Sequence, residues 1–206
     1  MDEVSHVYIV DDDHDLRRSL VELLVTRTPW SVTPYADGNM WLGSESREVP
    51  GCVLLDHSMP GITGLAVLQQ MTLRRSAHQV VMLTGEGDIQ IAVAAMRHGA
   101  VDFLEKPAPF AQIQASLVMA FERLNNANSA RSRTDQARAK LARLRPRERD
   151  VMSGLIEGMP NKVIAHQLGL SVRTVELYRA ALMDRLNVHS VAELLKIAYA
   201  ADFMAN

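Results

Sequence analysis

With 206 residues, 48% of them hydrophobic and 22% charged, the chain has the composition of a folded globular protein and the length for one large core or two small ones. No apolar run reaches the roughly 18 residues a membrane helix needs, the acidic start MDEVSHVYIV does not read as a secretory leader, and the single cysteine, Cys52, excludes an internal disulfide, so a cytoplasmic protein is expected. The net charge of −2 conceals two halves: residues 1–124 hold 9 basic and 16 acidic side chains, a net of −7, which leaves 13 basic and 8 acidic, a net of +5, for residues 125–206. A basic half joined to an acidic one predicts an anionic partner, nucleic acid, for the second half only. The seven histidines lack zinc-ligand spacing.

In chain order, strands are expected at 6–10, 31–35, 52–55, 80–83 and 101–104, alternating with helical patterns near 14–27, 38–46, 62–74, 88–98 and 109–124. The runs VYIV, CVLL and VVML are apolar at successive positions, as in strands covered on both faces. This alternation predicts an α/β doubly wound domain on a five-stranded parallel sheet. Residues 125–140, NNANSARSRTDQARAK, lose the apolar period and suit either a solvated extension of the fifth helix or a flexible tether. Beyond them only helical signals occur, beginning at Pro146, at Pro160/Asn161, at Ser171 and near Ser190. They predict a small all-α four-helix domain over 141–206.

Ligands of an open parallel sheet bind outside the carboxyl ends of its strands. There the first strand delivers Asp11-Asp12-Asp13, the third Asp56, the fourth Thr84, and the fifth leads to Lys106. Gathered carboxylates call for a hard cation, and Mg²⁺ takes oxygen ligands. A carboxylate can also attack phosphorus, with a cation, an ammonium and a hydroxyl spreading over the phosphoryl oxygens. Singly, Asp13 and Asp15 read as cap or turn residues, Lys106 as a surface lysine and Thr84 as a turn hydroxyl; their joint placement carries the chemistry.

In the contexts LLDHSMPGITGL, VVMLTGEGD and VDFLEKP, these residues resemble the receiver domain of two-component response regulators, and the whole chain resembles the FixJ-type branch. The resemblance implies that Asp11 and Asp12 bind Mg²⁺ and that Asp56 is the phosphoacceptor and a further metal ligand. It implies that the backbone carbonyl of Ser58 completes the metal shell, Thr84 is the switch hydroxyl, Lys106 contacts the phosphoryl group and Phe103 is the switch aromatic. It also makes Lys106–Pro107 a candidate cis peptide. Four positions depart from the family pattern. His57-Ser58 stands where Leu or Val and then Arg are common, Ala108 stands where Phe is usual, and Glu86 adds a negative charge that reads either as a solvated loop residue or as a brake on anionic phosphodonors.

In the basic half, turns at Gly158-Met159-Pro160 and Gly169-Leu170-Ser171 separate short helices, with Ser171 as an expected N-cap. On the helix beginning there, Val175, Leu182 and Leu186 share one face, and Arg173, Glu176, Leu177, Ala180 and Asp184 lie opposite. A helix, a glycine turn and a second helix with a mixed polar outer face form a helix-turn-helix. PRERDVM, GMPNKVIAHQLGLSVRTVE and MDRLNV resemble the LuxR-type domain. By that resemblance Lys162, Arg173 and Thr174 contact phosphates, while Glu176, Leu177 and Ala180 face base edges. Arg145 stands where Thr is usual and Tyr178 where His is common.

The combined expectation is a transcriptional regulator, not an enzyme on external substrates. A sensor histidine kinase would phosphorylate Asp56, and the chain would homodimerise, bind double-stranded promoter DNA and address RNA polymerase. Two alternatives are a DNA-binding regulator whose receiver is an unphosphorylated scaffold, and a Mg²⁺-dependent phosphohydrolase. The latter usually carries Asp two residues after the nucleophile, where Ser58 stands.

Overall fold

A computed structural model describes residues 5–85 and 89–203, and Glu86 therefore lies outside the described residues. The chain divides into two compact units, Met1–Ala127 and Asn128–Asn206.

In the first unit, strands β1 (His6–Val10), β2 (Ser31–Tyr35), β3 (Cys52–Asp56), β4 (Gln79–Thr84) and β5 (Asp102–Glu105) pair in parallel in the order β2-β1-β3-β4-β5. Successive side chains of a strand point to opposite faces. In β1, Val7 and Ile9 enter one core and Tyr8 and Val10 the other. Helices α1 (His14–Arg27) and α5 (Phe110–Ala142) cover the first face, supplying Leu20, Leu24, Leu117 and Phe121. Helices α2 (Gly38–Ser44), α3 (Gly64–Leu73) and α4 (Ile89–Arg97) cover the second, supplying Trp41, Val67, Met71 and Ala95. Coverage on both sides is the reason the strand runs are continuously apolar.

Helix starts are fixed by side-chain caps. Asp13 accepts the N–H groups of Asp15 and Leu16, Asp37 that of Met40, and Thr63 that of Ala66. The segment 38–46, expected to be wholly helical, ends its α-helix at Ser44 and continues as a single 3₁₀ turn, Glu45–Arg47. Between the two readings of 125–140 the helix prevails, because α5 runs unbroken to Ala142. Its buried residues Ile113, Leu117, Phe121 and Leu124 are followed by exposed side chains from 125 to 133, and Ala137 and Leu141 are buried again.

The second unit contains α6 (Pro146–Ile156), α7 (Asn161–Leu168), α8 (Val172–Leu186) and α9 (Val191–Ala200). Pro146 occupies the first turn of α6, and Ser171 and Ser190 cap α8 and α9. The core gathers Val151, Met152 and Leu155 from α6, Ile164 from α7, Val175, Leu182 and Leu186 from α8, and Leu194 and Ala198 from α9. Gly154 lets α6 and α7 approach closely, since a Cβ there would stand 2.7 Å from Ile164. Gly169, at φ +65°, caps α7 in the left-handed conformation that glycine adopts without penalty and turns the chain toward α8.

Candidate functional site

The sheet order reverses between β1 and β3, and ligands of doubly wound sheets bind at such a switch point. Asp11 follows β1 there and Asp56 ends β3, exposed by only 1% and 2%. Lys106, just beyond β5, reaches across: its Nζ donates to Asp11 Oδ2 at 2.8 Å and stands 2.6 Å from Asp56 Oδ1. Toward Asp56 this is a close ion pair off the hydrogen-bond direction, and Asp56 Oδ1 is buried without a directed hydrogen bond. Burial works against the Lys106 ammonium, yet the two carboxylates hold its proton and raise its pKa above the ordinary lysine value. Burial pushes the Asp11 carboxyl upward, with the lysine opposing.

Local backbone bonds lock this geometry. Asp11 Oδ1 accepts the N–H of Asp13 at 2.9 Å, and Arg17 Nη1 donates to the Asp11 carbonyl at 2.6 Å. The His57 N–H donates to Leu83 O at 2.8 Å, tying the end of β3 to β4, and Gly64 N donates to His57 O at 3.0 Å. Gly64 admits the loop because a Cβ would stand 2.1 Å from the Asp56 carbonyl oxygen. The N–H of Lys106 donates to Thr84 O at 2.7 Å, and Thr84 is fully buried. Lys106–Pro107 is cis. Asp12 and Ser58 are exposed beside the cluster, and half-buried Phe103 packs against the Trp41 side of the core. The structure thus brings Asp11, Asp12, Asp56 and Lys106 together. Gly64 and Arg17 support that cluster, and sequence reasoning does not single out either. PGITGL offers a signal for Gly64; nothing local offers one for Arg17.

Among the described residues, Asp11, Asp12 and Asp56 present carboxylate oxygens all within 4.8 Å of one another. Three carboxylates against one ammonium leave an excess of negative charge, and an all-oxygen set of this kind fits a hard divalent cation.

In the second unit, the faces expected for α8 are the faces observed. Val175, Leu182 and Leu186 are buried, whereas Arg173, Glu176, Leu177, Ala180 and Asp184 are exposed, Leu177 by 64%. Ser171 Oγ accepts the Thr174 N–H at 3.1 Å and lies 2.8 Å from the Thr174 hydroxyl, leaving that side chain half-exposed at the helix start. Lys162 is exposed in the first turn of α7. Basic groups therefore stand at the start of both helices, and the outer face of α8 mixes charged Glu176 and Asp184 with apolar Leu177 and small Ala180. No helix among the described residues is long and apolar enough to cross a membrane.

Comparison with known proteins finds a family for each of the two units. Residues 7–118 match the response regulator receiver domain and residues 142–198 the LuxR family of bacterial regulatory proteins. The transcriptional regulatory protein FixJ of Bradyrhizobium diazoefficiens is 37% identical over 200 residues, 97% of either chain. The tetrathionate response regulatory protein of Salmonella typhimurium is 34% identical over 193 residues, 94% of this chain and 91% of its own. Among solved structures, the response regulator StyR matches with a TM-score of 0.84 at 31% identity, covering 96% of this chain and 99% of that one. Full-length FixJ from B. japonicum matches with a TM-score of 0.59 at 38% identity, covering 97% and 98%. A receiver sheet carrying an acidic cluster, followed by a LuxR-type helix-turn-helix, makes this chain a member of the FixJ-type DNA-binding response regulators, a regulator and not a metabolic enzyme.

Proposed function

We propose that Asp56 accepts a phosphoryl group from a sensor histidine kinase and that the phosphorylated chain dimerises on promoter DNA to regulate transcription through RNA polymerase. In this reading, 1–124 is the receiver, 125–140 the linker and 141–206 the DNA-binding domain. The observation that carries it is the buried Asp56 carboxylate, held 2.6 Å from Lys106 with the Asp11 and Asp12 carboxylates in reach.

An Asp56 oxygen attacks phosphorus, the bond from phosphorus to the donor breaks, and the leaving group departs with its electron pair. Asp11, Asp12, Asp56 and the Ser58 carbonyl would hold Mg²⁺, which would supply positive charge to the transferred oxygens when bound. Lys106 supports the same oxygens and leaves its pairing with the free carboxylate to do so. The Thr84 hydroxyl moves toward the phosphoryl group, and Phe103 turns into the space left behind it. The exposed apolar side chains Ile89, Val93 and Met96 of α4 and Val118 and Met119 of α5 supply the surface for the dimer. Two copies of α8 then reach paired half-sites, with Lys162, Arg173 and Thr174 on phosphates and Glu176, Leu177 and Ala180 at base edges. The buried lone Cys52 and a DNA partner fit the cytoplasm.

Intact mass after incubation with Mg²⁺ and acetyl phosphate, with light scattering on the same samples, tests this reading. One phosphoryl adduct on the wild type and none on Asp56→Asn, with a shift toward dimer, is the expected result. No adduct, and no change with beryllofluoride, sinks Asp56 as the switch. Continuous turnover of a phosphate ester would replace the reading with a phosphohydrolase.

A further inference from the structure

Ser116 lies early in α5 and is 2% exposed, so its hydroxyl needs a partner inside the protein. That partner is a carboxylate on the outermost strand: Ser116 Oγ donates to Asp102 Oδ2 at 2.5 Å, the length of a charge-assisted bond. The other oxygen of that carboxylate, Oδ1, accepts the backbone N–H of Phe103 at 2.8 Å. Gln112 O, 3.0 Å from the same hydroxyl, competes for its single proton, and the nearer, charged acceptor holds it more strongly. One side chain therefore ties α5 to the backbone of the aromatic residue on β5. β5 has a strand neighbour only in β4, so the Asp102 carboxylate provides a lateral restraint that the sheet does not.

We infer that Asp102 and Ser116 are positioning residues that couple β5 to α5, so that the displacement of Phe103 on phosphorylation of Asp56 moves α5 with it. The inference rests on the phosphorylation switch proposed above and adds the link between its first moving part and its output surface. Neither residue bonds to Asp11, Asp56 or Lys106, so the pair acts after phosphoryl transfer. Breaking it leaves chemistry at Asp56 intact and weakens the dimerisation that phosphorylation drives. A hydrogen bond to a charged group is of the size that shifts a coupled equilibrium by about tenfold.

The test uses the full chain and its Ser116→Ala, Asp102→Ala and Asp102→Asn variants with Mg²⁺ and acetyl phosphate, reading intact mass and the dimer dissociation constant with and without the donor. All variants are expected to take up one phosphoryl group at the wild-type rate. The dissociation constant of the phosphorylated dimer should rise about tenfold in the two alanine variants and less in Asp102→Asn, which retains an acceptor for the Phe103 N–H. Association without donor should stay as in the wild type. A merely structural pair would lower the melting temperature and leave the ratio of the two constants unchanged, which overturns the inference; so does loss of labelling in folded variants. Should an alanine variant not fold, the same comparison on Asp102→Asn decides. Failure of the wild type to label or dimerise would instead remove the underlying switch, and the inference with it.

Discussion

Glu148 in the first turn of α6 and Arg185 in the last turn of α8 grip each other at two points, Arg185 Nε to Oε2 at 3.0 Å and Nη2 to Oε1 at 3.2 Å. Glu148 is 1% exposed and also accepts the Arg145 N–H at 2.8 Å, the half of a capping box that needs no acceptor on the Arg145 side chain. The pair fixes the end of α8 relative to α6. Arg185→Ala strands a buried carboxylate and should cost the helical unit about 3 kcal/mol in urea unfolding, with weaker DNA binding. Wild-type unfolding and binding curves would refute this.

The same carboxylate sets an acid limit. Burial pushes its pKa up, but the Arg145 N–H and the Arg185 guanidinium outweigh burial and bring it below the ordinary glutamate value. The unfolded chain therefore binds protons more readily. The stabilisation is complete above the unfolded value and is lost as pH falls through the folded one. Urea midpoints of the helical unit should drop in this range, and Glu148→Gln should flatten the drop.

The Lys106 ammonium faces two buried carboxylates at once. Lys106→Met should cost the first unit about 3 kcal/mol without divalent cations. Because the uncompensated charge then attracts a cation more strongly, Mg²⁺ should raise the melting temperature of the variant more than that of the wild type. Equal shifts would mean that the ammonium and the cation do not share the site.

At Gly64 the backbone of the phosphoacceptor loop leaves no room for a methyl group. Gly64→Ala should destabilise the first unit by about 2 kcal/mol and slow phosphoryl uptake by displacing Asp56. Calorimetry and intact-mass time courses measure the two effects.

His78 is 7% exposed, its Nδ1 accepts the Gly51 N–H at 3.1 Å, and its Nε2 faces Glu45 O at 3.2 Å. That tautomer is neutral, and burial lowers its pKa below 6.5 despite Glu45 and Glu48 nearby. Stability is thus present above the unfolded value of 6.5 and lost as pH falls toward the folded one. Unfolding of the first unit between about pH 7.5 and pH 5.5 should show that loss, and His78→Gln should show less of it.

Lys162 and Arg173 should each contribute to the salt dependence of DNA binding. Replacing either by Ala should reduce the slope of log K against log salt by about 0.9 and weaken all sequences alike. Ala180 substitutions should instead change sequence preference, read by binding to mutated half-sites.

The strands are legible in the sequence because each is a short apolar run, and the acidic cluster because topology sends all strand ends to one edge. The reach of Lys106 to Asp11 can be inferred as a neighbourhood but not as a bond, since 95 residues separate them. Asp102–Ser116 and Glu148–Arg185 join different elements through side-chain direction, which hydrophobic periodicity does not encode. Glu148 does carry a local signal, lying three residues after the cap position of α6. The course of 125–140 is ambiguous in the sequence for a physical reason: a helix stretch that buries nothing from 125 to 133 and only Ala137 after it has no apolar stripe to announce it.

That stretch of α5 has a consequence for how the molecule opens. From 125 to 133 every described side chain is exposed, and the sequence NNANSARSR contains three asparagines and two serines, which form helix poorly. Its backbone bonds are held by helix continuity alone, with buried residues on either side as anchors. Amide protons there should exchange with solvent well before those of the flanking turns at Leu124 and Leu141, making the middle of the longest described helix its least protected part.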